Sequence, residues 1–85
     1  MDGNTIGKEV REYVVENFLL GQDESELSDR DSFLETGLID STGILELITH
    51  IEETYDIEVE DEEMIPENLD GISRVARFVA SKNPA

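Results

Sequence analysis

The sequence predicts an all-α fold: a small four-helix bundle with three main helices, a short third helix, and a long loop between helices 1 and 2. Three segments show apolar residues at steps of three and four, which is the period of an amphipathic helix. The chain has 85 residues, enough for one small domain with a modest core. We therefore expect one domain over residues 1–85, with frayed tails at 1–4 and 83–85.

The first helix is expected over residues 5–20. Its helical stripe consists of Ile6, Val10, Tyr13, Val14 and Phe18. Asn4 or Thr5 is suited to cap its start, and Gly21 to end it.

A long connection of twenty residues, 21–40, follows the first helix. A compact domain rarely leaves so long a loop without structure, so apolar residues should pin it to the core. The expected anchors are Leu27, Phe33, Leu34, Leu38 and Ile39. A single helical turn is expected over residues 32–35.

The second helix is predicted over residues 41–55, after the break at Gly37. Asp40 and Ser41 are both suited to cap it, because their side-chain oxygens can accept from amides of the first turn. The apolar stripe is Ile44, Leu47, Ile48, Ile51 and Tyr55, and the opposite polar side holds Thr42, Glu46, Thr49 and Glu53. Ser41 thus lies at a helix N-terminus, where backbone amides and the helix dipole favour a negative group such as phosphate.

The last third of the chain should add an extended segment, a short turn and a final helix. Ile57 and Val59 fall on one side of the extended segment 56–60. Residues 61–65 should form one short turn, with Met64 and Ile65 packing on the core and Pro66 ending it. Asp70 should cap a helix over residues 71–81. Its buried stripe is Ile72, Val75, Ala76 and Val79, flanked by Phe78.

The charge balance excludes some classes of partner and favours others. The net charge of -16 repels nucleic acid and favours basic protein surfaces. Between Arg30 and Arg74 there is no Lys or Arg, but there are fourteen Asp and Glu residues. The chain has no cysteine, so it has no disulfide and no thiol of its own. No 18-residue apolar window or apolar signal core is present, so we expect a cytoplasmic protein without a membrane span.

The stretch from Gly37 to Glu63 resembles the prosthetic-group site of acyl carrier proteins. The family pattern is an Asp-Ser pair, an amphipathic helix, a Glu five residues after the Ser, and a Glu-Glu pair further on. The matching residues here are Asp40, Ser41, Glu46, Glu52 and Glu53. The similarity continues through residues 56–63, and Gly37, Leu38 and Ile39 fit the lead-in.

This resemblance implies a carrier rather than an enzyme. A phosphopantetheinyl transferase would move 4'-phosphopantetheine from coenzyme A to Ser41, with Asp40 helping to present the serine. The arm's thiol would carry an acyl or aminoacyl thioester, loaded by an adenylating ligase and delivered to acyl-processing enzymes with basic docking patches. Glu46, Glu52 and Glu53, together with Leu45 and Thr42, would contact those partners, and the carrier is expected to be a monomer.

Two departures bear on the cargo. The family usually has Leu after the serine and often an acid next, whereas this chain has Thr42 and Gly43. That start is closer to carriers of aminoacyl groups or of products of adenylating ligases. Fatty acyl, polyketide and amino acid cargo all stay open.

Other interpretations of the same residues remain. The glutamates could form a plain solvated helix face, and Leu45 could be covered by the preceding loop or be exposed to partners. His50 is expected to be solvated on the polar side of the helix, which leaves a serine hydrolase without a catalytic set. A calcium loop counted from Asp56 lacks its glycine, so no metal site is expected. A carrier fold that binds partners without being modified is the main functional alternative.

The second Asp-Ser pair, Asp31-Ser32, is a competing attachment site. Only four residues of possible helix separate Ser32 from Gly37, so this serine lacks a long helix. We therefore favour Ser41.

Overall fold

The computed structural model describes residues 3–19 and 27–82, and within them it confirms an all-helical bundle without strands. Five α-helices occur in these residues: α1 (Gly3–Phe18), α2 (Phe33–Thr36), α3 (Ser41–Tyr55), α4 (Pro66–Leu69) and α5 (Ile72–Lys82). A 3-10 turn, Asp61–Glu63, precedes α4. None of the described helices is long and apolar enough to span a membrane.

The core is formed where the apolar stripes of α1, α3 and α5 meet. It contains Ile6, Val10 and Val14 from α1, Leu47, Ile48, Ile51 and Tyr55 from α3, and Ile72, Val75, Ala76, Phe78 and Val79 from α5. The predicted stripes are therefore confirmed, although Ile44, Tyr13 and Phe18 are only partly buried. Each fully buried Leu or Ile contributes roughly 1.5–3 kcal/mol of transfer free energy.

The first helix begins earlier than predicted. It starts at Gly3, so Asn4 and Thr5 lie inside its first turn and neither caps it. It ends at Phe18, two residues before the predicted end at 20. Some predictions fall outside the described residues: the helix stop at Gly21, the tail 83–85 and the first two residues of the tail 1–4.

The connection before α3 is held by four of the five predicted anchors. Leu27, Phe33 and Ile39 are buried, and Leu38 packs on the core from its edge. Leu34 was predicted wrongly: it is 47% exposed, because the one-turn helix that buries Phe33 turns the next side chain outward. Ser32 caps that helix by accepting from the amide of Glu35 at 3.1 Å.

Asp70 does not cap the last helix as predicted. Its buried carboxylate instead accepts from the Ser32 hydroxyl and, at 2.9 Å, from the amide of Leu34. The first turn of α5 is closed by the carbonyl of Gly71, which accepts from Val75 at 3.0 Å. Asp70 therefore ties α2 to the junction of α4 and α5.

Gly71 lets this junction approach the loop closely. Its φ of 144° is a backbone angle that glycine adopts readily and other residues rarely adopt. An added Cβ would lie 3.0 Å from the carbonyl oxygen of Asp31. The Ser73 amide donates to the Asp29 carbonyl at 2.9 Å. The segment 28–32 is thus fastened to the start of α5.

The segment after α3 differs from the prediction at its end. Val59 is buried and Ile57 is partly buried, as predicted. Pro66 begins α4 instead of ending a turn, since the first helical position needs no N–H. Met64 and Ile65 do not pack on the core: they are 39% and 41% exposed, because the 3-10 turn and α4 direct them into a surface groove.

Candidate functional site

The start of α3 presents the Ser41 hydroxyl to solvent. Asp40 is the N-cap, and its Oδ1 accepts from the amide of Gly43 at 2.8 Å. Ser41 follows as the first helical residue and is exposed. Within the described residues, the amides of Ser41 and Thr42 donate to no protein acceptor. An anionic group bound at this position would therefore meet two available N–H donors and the positive end of the helix dipole.

Gly43 fixes the position of this helix start by close packing. It is buried, and an added Cβ would lie 2.6 Å from Ile39 Cγ2 and 3.0 Å from Phe18 Cε1. A larger residue would push α3 away from the end of α1. Gly43, which the sequence showed only as a departure from the family pattern, is thus a packing residue that holds Ser41 in place.

An apolar groove of about 190 Å³ adjoins Ser41. Leu34, Leu45, Met64 and Ile65 line it, and these are the four exposed large hydrophobic side chains among the described residues. Leu45 is 58% exposed, so the preceding loop does not cover it. Exposed apolar side chains gathered in one place are typical of a binding surface.

The polar residues predicted to contact partners fall into two groups. Thr42, Glu46 and Glu53 are exposed along α3. Glu52 is half-buried, and its Oε2 accepts from the amide of Val59 at 3.0 Å. Glu52 therefore also holds the extended segment after α3 in place, a structural contact that the sequence did not indicate.

His50 is half-buried, not fully solvated as predicted. Its ring stacks on Tyr13 with centroids 3.8 Å apart and planes 14° from parallel, because its side of α3 faces α1. Burial lowers the pKa of His50, and the charges of Glu53 and Glu9 oppose that shift. Ser41 and His50 are nine residues apart on one helix, about 13 Å along its axis. These two side chains cannot act as a nucleophile and its base.

Ser32, the competing serine, is held by the protein itself. It is half-buried, its hydroxyl donates to Asp70, and the same oxygen accepts from Glu35. No group of three or more metal-ligating side chains is close enough to hold an ion in the part of the chain that the structure describes. Of the two Asp-Ser pairs, only the one at residues 40–41 has an exposed hydroxyl on a long helix.

Comparison with known protein families identifies a family that covers most of the chain. A family model described as a phosphopantetheine attachment site matches residues 9–79. The match runs from α1 through most of α5 and covers well over half of the chain.

Proposed function

Because this chain belongs to the family of phosphopantetheine attachment domains, which bear covalent 4'-phosphopantetheine, we propose that Ser41 is the residue that carries the group. The observation that supports Ser41 is its exposed hydroxyl at the first position of a 15-residue helix. The Ser32 hydroxyl, by contrast, is already bonded to Asp70 and Glu35.

The surroundings of Ser41 fit such a group. A phosphodiester at Ser41 would be adjacent to the amides of Ser41 and Thr42. The apolar part of an arm would find Leu45, Met64 and Ile65 in the adjoining groove. When bound, the group supplies a thiol that carries cargo as a thioester, which this cysteine-free chain cannot supply itself.

The role of the domain is that of a carrier, and domains of this family are generally not catalytic. We propose that this single domain bears acyl or aminoacyl groups and delivers them to enzymes of lipid, polyketide or peptide-type biosynthesis. Tethering raises the concentration of cargo near each partner's active site, so the domain needs no chemistry of its own. The start Asp40-Ser41-Thr42-Gly43 favours cargo that an adenylating ligase loads.

Carrier domains are modified by phosphopantetheinyl transferases and interact with synthetases. For this chain we propose that Thr42, Leu45, Glu46 and Glu53 contact those enzymes, with Glu52 sharing its carboxylate between a partner and Val59. Exposed carboxylates on α3 suit weak, salt-sensitive docking to basic patches, which lets one carrier visit several enzymes. We also predict that the protein is a monomer, lies in the cytoplasm and binds no nucleic acid.

Intact-mass measurement tests the attachment directly. The purified chain is incubated with coenzyme A and a promiscuous phosphopantetheinyl transferase, beside a known carrier as positive control. We expect a gain of one phosphopantetheine in the wild type and in Ser32→Ala, and none in Ser41→Ala. No gain in the wild type, under conditions that modify the known carrier, would favour the unmodified interaction module.

A thiol titration gives a second measurement. The unmodified chain has no cysteine, so it should show no thiol. After modification it should show one thiol per chain. Circular dichroism of Ser41→Ala should match the wild type, since Asp40 rather than Ser41 supplies the helix cap.

A further inference from the structure

Five of the six basic residues of this acidic chain lie on one face of the bundle. Lys8 and Arg11 project from α1, Arg74 and Arg77 from α5, and Arg30 from the segment fastened to α5. They line adjoining clefts that share Asp29, Ser73 and Arg77. We call this face, defined by the five basic residues, the basic face.

Within the described residues, four of these five cations form no ion pair with an acidic side chain. Arg11 pairs with Asp29 at 2.8 Å, and Lys82, away from this face, pairs with Glu63 at 2.6 Å. The side chains of Lys8, Arg30 and Arg77 form no ion pair or hydrogen bond with any other described residue. A chain with 22 acidic and 6 basic residues has ample carboxylates to neutralise them. Because charges are screened beyond about 8 Å at physiological salt, distant carboxylates do little to offset the basic side chains of this face.

The main cleft of this face is broad and open. It has a volume of about 590 Å³ and lies between α1 and α5. Gly7, Ala76 and Ala80 are among its lining residues, and a Cβ added at Gly7 would lie 3.6 Å from that of Ala76. Small residues thus bring the two helices together and leave room above them for a ligand.

We propose that the basic face binds an acidic segment of a partner protein. Asp29 lies between Arg11, Arg30 and Arg77, so it would repel a single compact polyanion. A peptide with spaced carboxylates can contact Lys8, Arg77 and Arg30 on either side of Asp29. The amide of Ser73 is taken by Asp29, which removes one N–H that a free phosphate would use.

Other occupants fit this surface less well. A bilayer surface normally takes up apolar side chains, but the exposed large hydrophobic residues of the described chain line the groove beside Ser41. A second copy brings its own net charge of -16, which opposes association. An acidic segment of limited length can contact these basic side chains with less of that repulsion.

The basic face and the Ser41 groove can be occupied at the same time. No residue of α3 lines the main cleft, and no described residue is shared between that cleft and the groove beside Ser41. One partner could therefore hold the domain by α1 and α5 while a basic enzyme reaches α3. This inference does not depend on modification of Ser41.

The test is an NMR titration of the ¹⁵N-labelled protein at 0.15 M salt. The probe is a synthetic peptide with six consecutive glutamates, and the matched control peptide has six glutamines. We expect saturable shifts for amides of α1 and α5 near Lys8 and Arg77, and none with the control peptide. No saturable shift, equal shifts with both peptides, or shifts centred on α3 would overturn the proposal.

Variants matched for charge sharpen the result. Lys8→Gln and Arg77→Gln should each weaken binding roughly twofold to fivefold. Lys82→Gln removes the same charge outside the basic face and should change the affinity by less than about twofold. Equal effects of all three variants would show that only net charge matters and would contradict the proposal.

Further titrations of the wild-type protein test the other candidate ligands of the basic face. Inorganic phosphate and vesicles containing phosphatidylserine are titrated under the same conditions. Tighter binding of either one at the same amides would reassign the face to a phosphate or a lipid headgroup. Shifts that grow with protein concentration alone, without peptide, would assign it to a second copy.

Discussion

Replacing Asp70 with alanine should destabilise the fold more than removing any exposed carboxylate. Asp70 is 7% exposed and accepts hydrogen bonds from the Ser32 hydroxyl and the Leu34 amide. A hydrogen bond to a charged group contributes about 1.5–3 kcal/mol. Because Leu34 is exposed, water would replace part of what is lost, so we expect about 2–4 kcal/mol for Asp70→Ala.

That loss is a large share of the stability of so small a domain. At about 0.05–0.15 kcal/mol per residue, the whole chain has roughly 4–13 kcal/mol. The Tm should fall by about 10–30 °C. Urea unfolding followed by circular dichroism at neutral pH measures the change directly.

A double-mutant cycle identifies the contact responsible. Combining Asp70→Ala with Ser32→Ala should give less than the sum of the single effects, with a coupling of about 1–2 kcal/mol. Glu35→Ala, which removes an exposed carboxylate on α2, should cost less than about 0.5 kcal/mol. If Asp70→Ala lowered the free energy of unfolding no more than Glu35→Ala does, the claim that Asp70 ties α2 to the α4–α5 junction would be refuted.

Three further predictions concern packing and charge. Gly43→Ala should lower the free energy of unfolding, measured in urea, by about 0.5–2 kcal/mol, because the clash with Ile39 outweighs the gain of up to about 1 kcal/mol in helix propensity. A stabilised variant would contradict the close packing. NMR titration of His50, the single histidine, should give a pKa below 6.5, so its contribution to stability is present above pH 6.5 and is lost as the pH falls through its folded pKa. A pKa at or above 6.5 would show that the ring is not buried against Tyr13. Added salt or magnesium at neutral pH should raise the Tm, because the carboxylates of a chain with net charge -16 repel one another and ions screen that repulsion. An unchanged Tm would mean that the acidic face is less crowded than its sequence suggests.

Local patterns in the sequence predicted the helices and the candidate serine. The spacing of Leu47, Ile48 and Ile51 is enough to identify the buried side of α3, because helical period and burial are linked within one element. The cap at Asp40 and the position of Ser41 also follow from neighbouring residues alone.

Contacts between distant parts of the chain could not be predicted in this way. Asp70 has the residue type and position of a helix cap, but its partners lie 36 and 38 residues away. His50 lies on the polar side of its own helix, and only the approach of α1 places Tyr13 against it. Gly43 looked like a departure from a pattern, because its tight contact with Ile39 and Phe18 exists only in the folded chain.

Met64 and Ile65 show a related limit. Apolar residues are usually assigned to the core, yet these two remain exposed beside Leu45. Composition does not distinguish a side chain that completes the core from one that forms a binding surface. Here the 3-10 turn and the start of α4 at Pro66 place both side chains in the groove beside Ser41.

The location of the phosphopantetheine group can be measured by fragmentation mass spectrometry of the modified, protease-digested chain. We expect the added mass on Ser41 alone, in fragments that separate it from Ser32. The added mass on Ser32, or on any other residue while Ser41 stays unmodified, would contradict the proposal that Ser41 carries the group.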